Sequence, residues 1–204
     1  MKKFFLVPLL ASLLLAVPPA QAAPPKRALT SSPAQVDGIL SRVVDKLAAG
    51  RDVYWHHGDY PHVIALDRII TQADPHYLEC YETGAWLMES QGDLKDAEAY
   101  YRQGVANNPR NAESYFHLGI FYFNTRHDYP KAVNAFRLAT RQSDADINDW
   151  KMLAHSYEHI HDYGREVATW RHIKARWPQG VAVDHNLSEA LARQRAASGE
   201  MPAP

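Results

Sequence analysis

The chain has very little cysteine: among its 204 residues, Cys80 is the only one. A disulfide needs two cysteines, so no bridge within the chain can support the fold, and stability has to come from packed side chains. A free cysteine packs as a small apolar residue. We therefore expect Cys80 to be buried, and an intermolecular disulfide is the alternative.

The sequence also lacks the short motifs of common catalytic sites. It contains no G-x-S-x-G nucleophile turn, no phosphate-binding glycine loop and no H-E-x-x-H zinc motif. Carboxylates are plentiful, but no pair of them stands in a recognisable catalytic frame. We expect neither an enzyme nor a bound cofactor.

An excess of charge of one sign is missing as well. The formal net charge is −1, and removal of residues 1–22 takes away Lys2 and Lys3 but no acidic residue, which leaves −3. A charge this close to neutral indicates neither nucleic acid nor an anionic membrane surface as the partner.

The one long apolar run lies at the N-terminus. Residues 1–22 combine a basic start, an apolar run from Phe4 to Val17, and small residues at Ala20 and Ala22, which is the pattern of a secretory signal peptide. The run is too short to span a bilayer, and no cysteine stands near the expected cleavage site after Ala22 to carry a lipid. We expect an exported protein, periplasmic or secreted, with no membrane span after cleavage.

Proline and serine mark the segment that follows. Residues 23–34 have no apolar period and predict a disordered linker, as does the tail at 198–204. Near the end of the linker, Ser32 and Gln35 have the spacing of a capping box, with Pro33 at the first helical position. Helical order should therefore begin near Ser32.

Internal repetition is what the sequence has in abundance. Pro75, Pro109 and Pro178 are separated by 34 and 69 residues, and the second interval is close to twice the first. A period of this size predicts stacked helix pairs, because one pair cannot bury its own apolar face. The predicted turns inside the pairs share an aspartate: Gly58-Asp59, Gly92-Asp93, His127-Asp128 and His161-Asp162.

Small residues recur at one position of the period. Ala154 lies between large residues on one helical stripe, and Ala85 and Gly119 hold the equivalent position in the two preceding units. Ala97 and Ala132 are the small residues of the second helices. We expect the two helices of a pair to cross closely at these positions.

These residues resemble the tetratricopeptide repeat, whose signature W-x2-L-G-x2-Y, then A, F and P, is nearly met from Trp150 to Pro178. The resemblance implies an all-α fold, a right-handed α-solenoid of helix-turn-helix units. We place the array at 35–180, with units at about 44–77, 78–111, 112–146 and 147–180. A capping helix at 181–197 should shield the last unit from water.

Some positions depart from the pattern. The first unit has Gly50 and Arg51 in place of a leucine and a small residue, and Asp67 in place of an aromatic. It is either an aberrant repeat or part of a long cap whose helix breaks near Gly50. The third unit has one extra residue within 124–127. In the fourth, Glu166 replaces a small residue, which predicts a looser contact.

The resemblance also implies that a ligand lies on the concave face formed by the first helices. The residues at the family's ligand-facing positions are Asp45, Asp52, Trp55, Glu79, Glu82, Trp86, Glu89, Glu113, Phe116, Ile120, Phe123, Lys151, His155, Glu158 and His159. Acids near aromatics favour a protein or peptide with basic and apolar side chains. The function predicted is an interaction scaffold in cell-envelope complex assembly. The alternatives are that the acids only maintain solubility and that Phe116 and Ile120 belong to the core.

A group of histidines supports a different hypothesis. His155 and His159 share one helical face, with His161 and Glu158 nearby, and imidazoles in such an arrangement bind metal or titrate at about pH 6.5. A metal-binding or pH-responsive module is therefore the second hypothesis. Self-association through an uncovered end of the stack is the third.

Overall fold

The computed structural model describes residues 32–199, and all regular structure in that part of the chain is helical. The helices are α1 (Pro33–His56), α2 (Tyr60–Ala73), α3 (Leu78–Ser90), α4 (Leu94–Asn107), α5 (Ala112–Ile120), α6 (Tyr129–Ala139), α7 (Ile147–His159), α8 (Tyr163–Arg176) and α9 (Val183–Ser198). A π-helical turn, Phe121–Thr125, extends α5. The expected signal peptide at 1–22, the linker up to residue 31 and the tail from residue 200 lie outside the described residues. The last two residues of the predicted linker, Pro33 and Ala34, are helical because the cap at Ser32 starts α1, and Ser198 of the predicted tail still belongs to α9.

The helices form consecutive hairpins that stack side by side. Helices α1 and α2, α3 and α4, α5 and α6, and α7 and α8 are the hairpins, and the second helix of each packs on the first helix of the next. Helix α9 packs on α8 and covers the C-terminal end. The predicted all-α solenoid with a closing helix is therefore confirmed. Within residues 32–199, no helix combines the length and hydropathy that a membrane crossing requires.

Helix α1 begins as the sequence predicts. The Ser32 hydroxyl accepts a hydrogen bond from the Gln35 N–H at 3.3 Å, and the Gln35 side chain accepts one from the Ser32 N–H at 3.0 Å. The predicted break near Gly50 is wrong, because α1 continues without interruption to His56. A glycine inside a helix costs only about 1 kcal/mol, and the neighbouring Arg51 is held by side chains of α2 and α3.

The four aspartate-containing turns share one backbone feature. In each, the residue before the aspartate adopts the left-handed conformation in which the chain leaves a helix. These residues are Gly58 (φ 72°), Gly92 (φ 86°), His127 (φ 49°) and His161 (φ 58°). The aspartate that follows is the N-cap residue of the second helix. In three of the four turns its N–H donates to the carbonyl five residues earlier, as from Asp93 to Met88 at 2.9 Å.

The extra residue of the third unit is absorbed by the π-helical turn. A π-turn contains one more residue than an α-turn. The Asp128 N–H accordingly donates at 2.9 Å to the carbonyl of Tyr122, six residues earlier. In the other three turns the aspartate N–H donates to the carbonyl five residues earlier. The insertion therefore leaves the hairpin and its turn intact.

The small residues lie where the helices of a hairpin cross. Ala85, Ala97, Ala132 and Ala154 are completely buried. At Gly119 the approach is so close that a Cβ atom would stand 2.6 Å from Cε1 of Phe136. The aromatic residue of the second helix thus occupies the space that the small residue leaves free.

Glu166 does not loosen the fourth hairpin, contrary to the prediction. Its side chain is completely buried, and its Oε1 accepts a hydrogen bond from Nη2 of Arg193 at 2.6 Å. Arg193 belongs to α9 and also pairs with Glu158 of α7 at 3.2 Å. The arginine therefore fixes α9 to both helices of the fourth hairpin.

We predict that Arg193→Met destabilises the protein by about 3–5 kcal/mol, because it leaves the Glu166 carboxylate buried without its charged partner. Combining it with Glu166→Ala, which restores the small residue of the second and third hairpins, should recover most of that loss. Chemical denaturation of the wild type and the variants measures the free energies of unfolding. Equal losses in the single and double variants would contradict this account.

Candidate functional site

The first helices of the hairpins, α1, α3, α5 and α7, build one face of the stack. Side chains on this face touch from one hairpin to the next: the ring centroids of Trp55 and Trp86 are 6.2 Å apart, and those of Phe123 and His159 are 4.9 Å apart. The first pair joins α1 to α3, and the second joins the end of α5 to α7. Four of the predicted ligand-facing residues are therefore neighbours in pairs across the boundaries between hairpins.

An exposed aromatic pair marks the N-terminal end of this face. Trp86 is 52% exposed and Trp55 is 37% exposed, and Tyr60 meets Trp55 edge-on at 5.7 Å. Tryptophan is usually well buried, and exposed tryptophans in contact with each other are suitable anchors for an apolar partner side chain. Asp45 and Asp52 are exposed on the same helix as Trp55.

Two of the predicted acids are already held by side chains of this chain. Glu79 accepts a hydrogen bond from Arg51. Glu89 accepts hydrogen bonds from the hydroxyls of Tyr101, at 3.3 Å, and Thr125. A carboxylate with such partners is less available to a ligand, so the acidic part of the face is less open than the sequence indicates.

Another of the predicted acids, Glu82, lies in a cluster with Glu113 and His117. Nε2 of His117 is 3.3 Å from Oε1 of Glu82 and 4.0 Å from Oε1 of Glu113. Burial, reinforced by the negative charges of Glu113 and Glu79, raises the pKa of Glu82 to about 8, and burial lowers the pKa of His117. The sequence analysis did not single out His117, although its spacing of four from Glu113 places both on one side of α5.

The aromatic middle of the face is half-buried. Phe116, Ile120 and Phe123 pack against the core of the second and third hairpins, and the Phe116 ring meets Phe136 at 5.7 Å. The alternative that Phe116 and Ile120 belong to the core therefore agrees with their packing. Exposed aromatic surface is concentrated at the tryptophans.

The three histidines of the second hypothesis do not converge. His159 stacks on Tyr129 at 4.2 Å, and Nδ1 of His161 is hydrogen-bonded to the Tyr163 hydroxyl at 2.8 Å. The partners of the His155 ring are Glu158 and Trp170 rather than the other two histidines. The predicted three-histidine metal cluster is therefore wrong, because aromatic and hydroxyl partners hold the rings apart and His161 lies in the left-handed turn.

The remaining predicted residues of α7 are Lys151 and Glu158. Lys151 is half-buried. Glu158 faces His155 at 3.5 Å and pairs with Arg193 of α9 at 3.2 Å. The closing helix thus occupies a carboxylate that the sequence predicted to be available for a ligand.

Arg51 and Asp67, which stand out in the sequence only as departures from the repeat, form a buried ion pair. Nη1 of Arg51 is 3.3 Å from Oδ1 of the fully buried Asp67 and 3.2 Å from Sγ of Cys80. The same guanidinium binds Glu79. Arg51 therefore joins α1, α2 and α3. The sequence signal for this ion pair is that both departures from the repeat fall in one unit.

Comparison with known proteins gives a consistent result for the fold. Neither a protein-family model nor a curated protein matches the chain. Solved structures do match, among them MamA, at 17% identity and a TM-score of 0.58 over 74% of this chain and 85% of that one. PilF of Pseudomonas aeruginosa matches at 14% identity and 0.59, over 81% of this chain and 79% of PilF.

A third match is YrrB, described as a TPR protein with an unusual peptide-binding site. It is 8% identical, with a TM-score of 0.58 over 79% of this chain and 84% of YrrB. At such identities the likeness shows the fold alone. The fold is therefore that of the tetratricopeptide-repeat proteins, as the sequence predicts.

Cys80 gives a test of the packing beneath this face. The residue is completely buried, as predicted, and burial raises the pKa of its thiol far above the usual range. We predict that Ellman's reagent reacts with native Cys80 at least about a hundredfold more slowly than with the unfolded chain, because attack requires an exposed thiolate. Absorbance at increasing denaturant measures both rates. Equal rates in the native and unfolded protein would contradict the burial of this thiol.

Proposed function

We propose that this chain is an exported scaffold that binds a segment of another protein along the face of its first helices. The observation that carries the proposal is the exposed contact between Trp55 and Trp86 on successive first helices. A fold built of stacked hairpins offers such a face without rearrangement, which limits the conformational entropy lost on binding. One protein of similar fold, YrrB, is described as having a peptide-binding site.

The partner that fits this surface is an extended segment with an apolar residue and flanking basic residues. The tryptophans accept the apolar side chain, and the exposed acids Asp45 and Asp52 supply negative charge on the same helix as Trp55. Glu79, although paired with Arg51, keeps more than half of its side chain exposed. Charge of this kind selects among partners more than it adds affinity.

The setting we propose is the cell envelope. Residues 1–22 have the composition of a secretory signal peptide, so the scaffold would work outside the cytoplasm, in assembling an envelope complex. The proposal rests on sequence for its location and on the exposed face for its activity.

The test is capture of partners by crosslinking in intact cells, comparing the wild type with Trp86→Ala. Loss of the indole should weaken capture about tenfold or more, since central aromatic anchors contribute about 2 kcal/mol or more to binding. The matched control is Ile69→Ala, which removes an apolar side chain of similar exposure, 48%, from a second helix. Equal capture by the wild type and Trp86→Ala would rule out this face.

A second copy of the chain is the alternative partner, and it would use a different surface. No residue of α1 before Val44 is buried. Val36, Ile39, Leu40 and Val43 are exposed there. We predict that Ile39→Lys shifts any concentration-dependent oligomer toward monomer, because it places a charge in an apolar interface. Light scattering over a range of concentrations measures this, and a wild type that is monomeric throughout would exclude the alternative.

A further inference from the structure

Glu82, Glu113 and His117 form a cluster that the scaffold function does not use. One ligand atom from each of the three side chains lies within 4.8 Å of the other two, and among residues 32–199 no other group of three histidine, cysteine or acidic side chains is arranged in this way. Glu82 comes from α3, whereas Glu113 and His117 stand four residues apart on α5. The cluster therefore spans the boundary between the second and third hairpins.

The spacing of the donor atoms is close to what a small divalent cation requires. Zinc bonds of about 2.0–2.1 Å to nitrogen and oxygen place tetrahedral ligand atoms about 3.3–3.4 Å apart. Nε2 of His117 is already 3.3 Å from Oε1 of Glu82 and 4.0 Å from Oε1 of Glu113. Glu113 alone has to move, and its exposed side chain is free to rotate.

One donor atom of the cluster lacks a partner. Oε1 of Glu82 is buried and, within the described part of the chain, accepts no hydrogen bond, although it faces the imidazole of His117. A buried carboxylate oxygen without a hydrogen bond is costly. A cation bound between the two side chains satisfies this oxygen.

The cluster also has an entrance and a favourable electrostatic field. Glu113 and His117 line a cleft of about 380 Å³, together with the acidic side chains Asp144, Asp146 and Asp149. Three protein ligands leave a fourth position open toward this cleft, which is the arrangement of zinc sites that bind water or an exogenous ligand. The surrounding carboxylates attract a cation to the site.

We propose that Glu82, Glu113 and His117 bind a divalent transition-metal cation, with zinc as the representative ion, and that the cation links α3 to α5. The open fourth position accepts water or a donor atom of a bound partner. No step of the proposed scaffold function depends on this site, so either proposal stands or falls alone.

The experiment is isothermal titration calorimetry of the purified, EDTA-treated protein with zinc chloride, supported by cobalt(II) absorption spectra. The wild type should bind about one zinc per chain with a micromolar or lower Kd. His117→Ala and Glu113→Gln should each weaken binding about tenfold or more, since each removes one ligand of three. Side-chain exposure of 62% makes Glu113→Gln a variant that keeps the fold, and circular dichroism verifies this.

The matched control is His185→Ala on α9. His185 and Glu189 also stand four residues apart, with 3.4 Å between Nε2 and Oε1, but the described residues supply no third ligand there. This variant should bind zinc as the wild type does. Absence of micromolar binding by the wild type, or undiminished binding by both Glu113→Gln and His117→Ala, overturns the proposal.

Discussion

The close crossing of two helices inside each hairpin is the constraint on which the rest of the stack depends. In the third hairpin the crossing falls at Gly119, where the Phe136 ring leaves no room for a Cβ atom. Ala85 and Ala154 hold the same position in the second and fourth hairpins and are completely buried. A small residue on the first helix thus makes room for a large aromatic on the second, and that aromatic fills the core.

The first hairpin satisfies the same constraint with the sizes exchanged. Arg51 stands at the position of Gly119 and Asp67 at that of Phe136, and the two side chains meet in a buried ion pair. A large residue on the first helix therefore faces a small one on the second, so the space is filled from the opposite side. Burying charge in this way is tolerable only because the partner charges meet. The exchange also has a benefit, since the long arginine reaches Glu79 of the next hairpin.

The sequence was sufficient to predict the features that residues of one repeat unit determine. It was insufficient for side-chain contacts between residues that lie far apart in the chain. The capping box, the buried small residues and the stacked hairpins all follow from residues within one unit. The ion pairs Arg51–Asp67 and Glu166–Arg193 join residues 16 and 27 positions apart. Arg51, Asp67 and Glu166 each looked like an isolated defect, because each was compared only with its own position in the repeat. The role of His117 depends on how α5 is set against α3, and no local pattern fixes that distance.

The contacts also change how the ligand-facing surface varies along the stack. In sequence order, its residues are mainly acids and tryptophans in the first two units, aromatic in the third, and include two histidines in the fourth. In the structure the change is from open to closed: the tryptophans of the first two hairpins are exposed, the central phenylalanines are half-buried, and α9 binds Glu158 through Arg193. A partner that needs unoccupied surface therefore has most of it at the N-terminal end. The closing helix also explains why the fourth hairpin tolerates the buried Glu166. Arg193 of α9 neutralises the charge of this carboxylate.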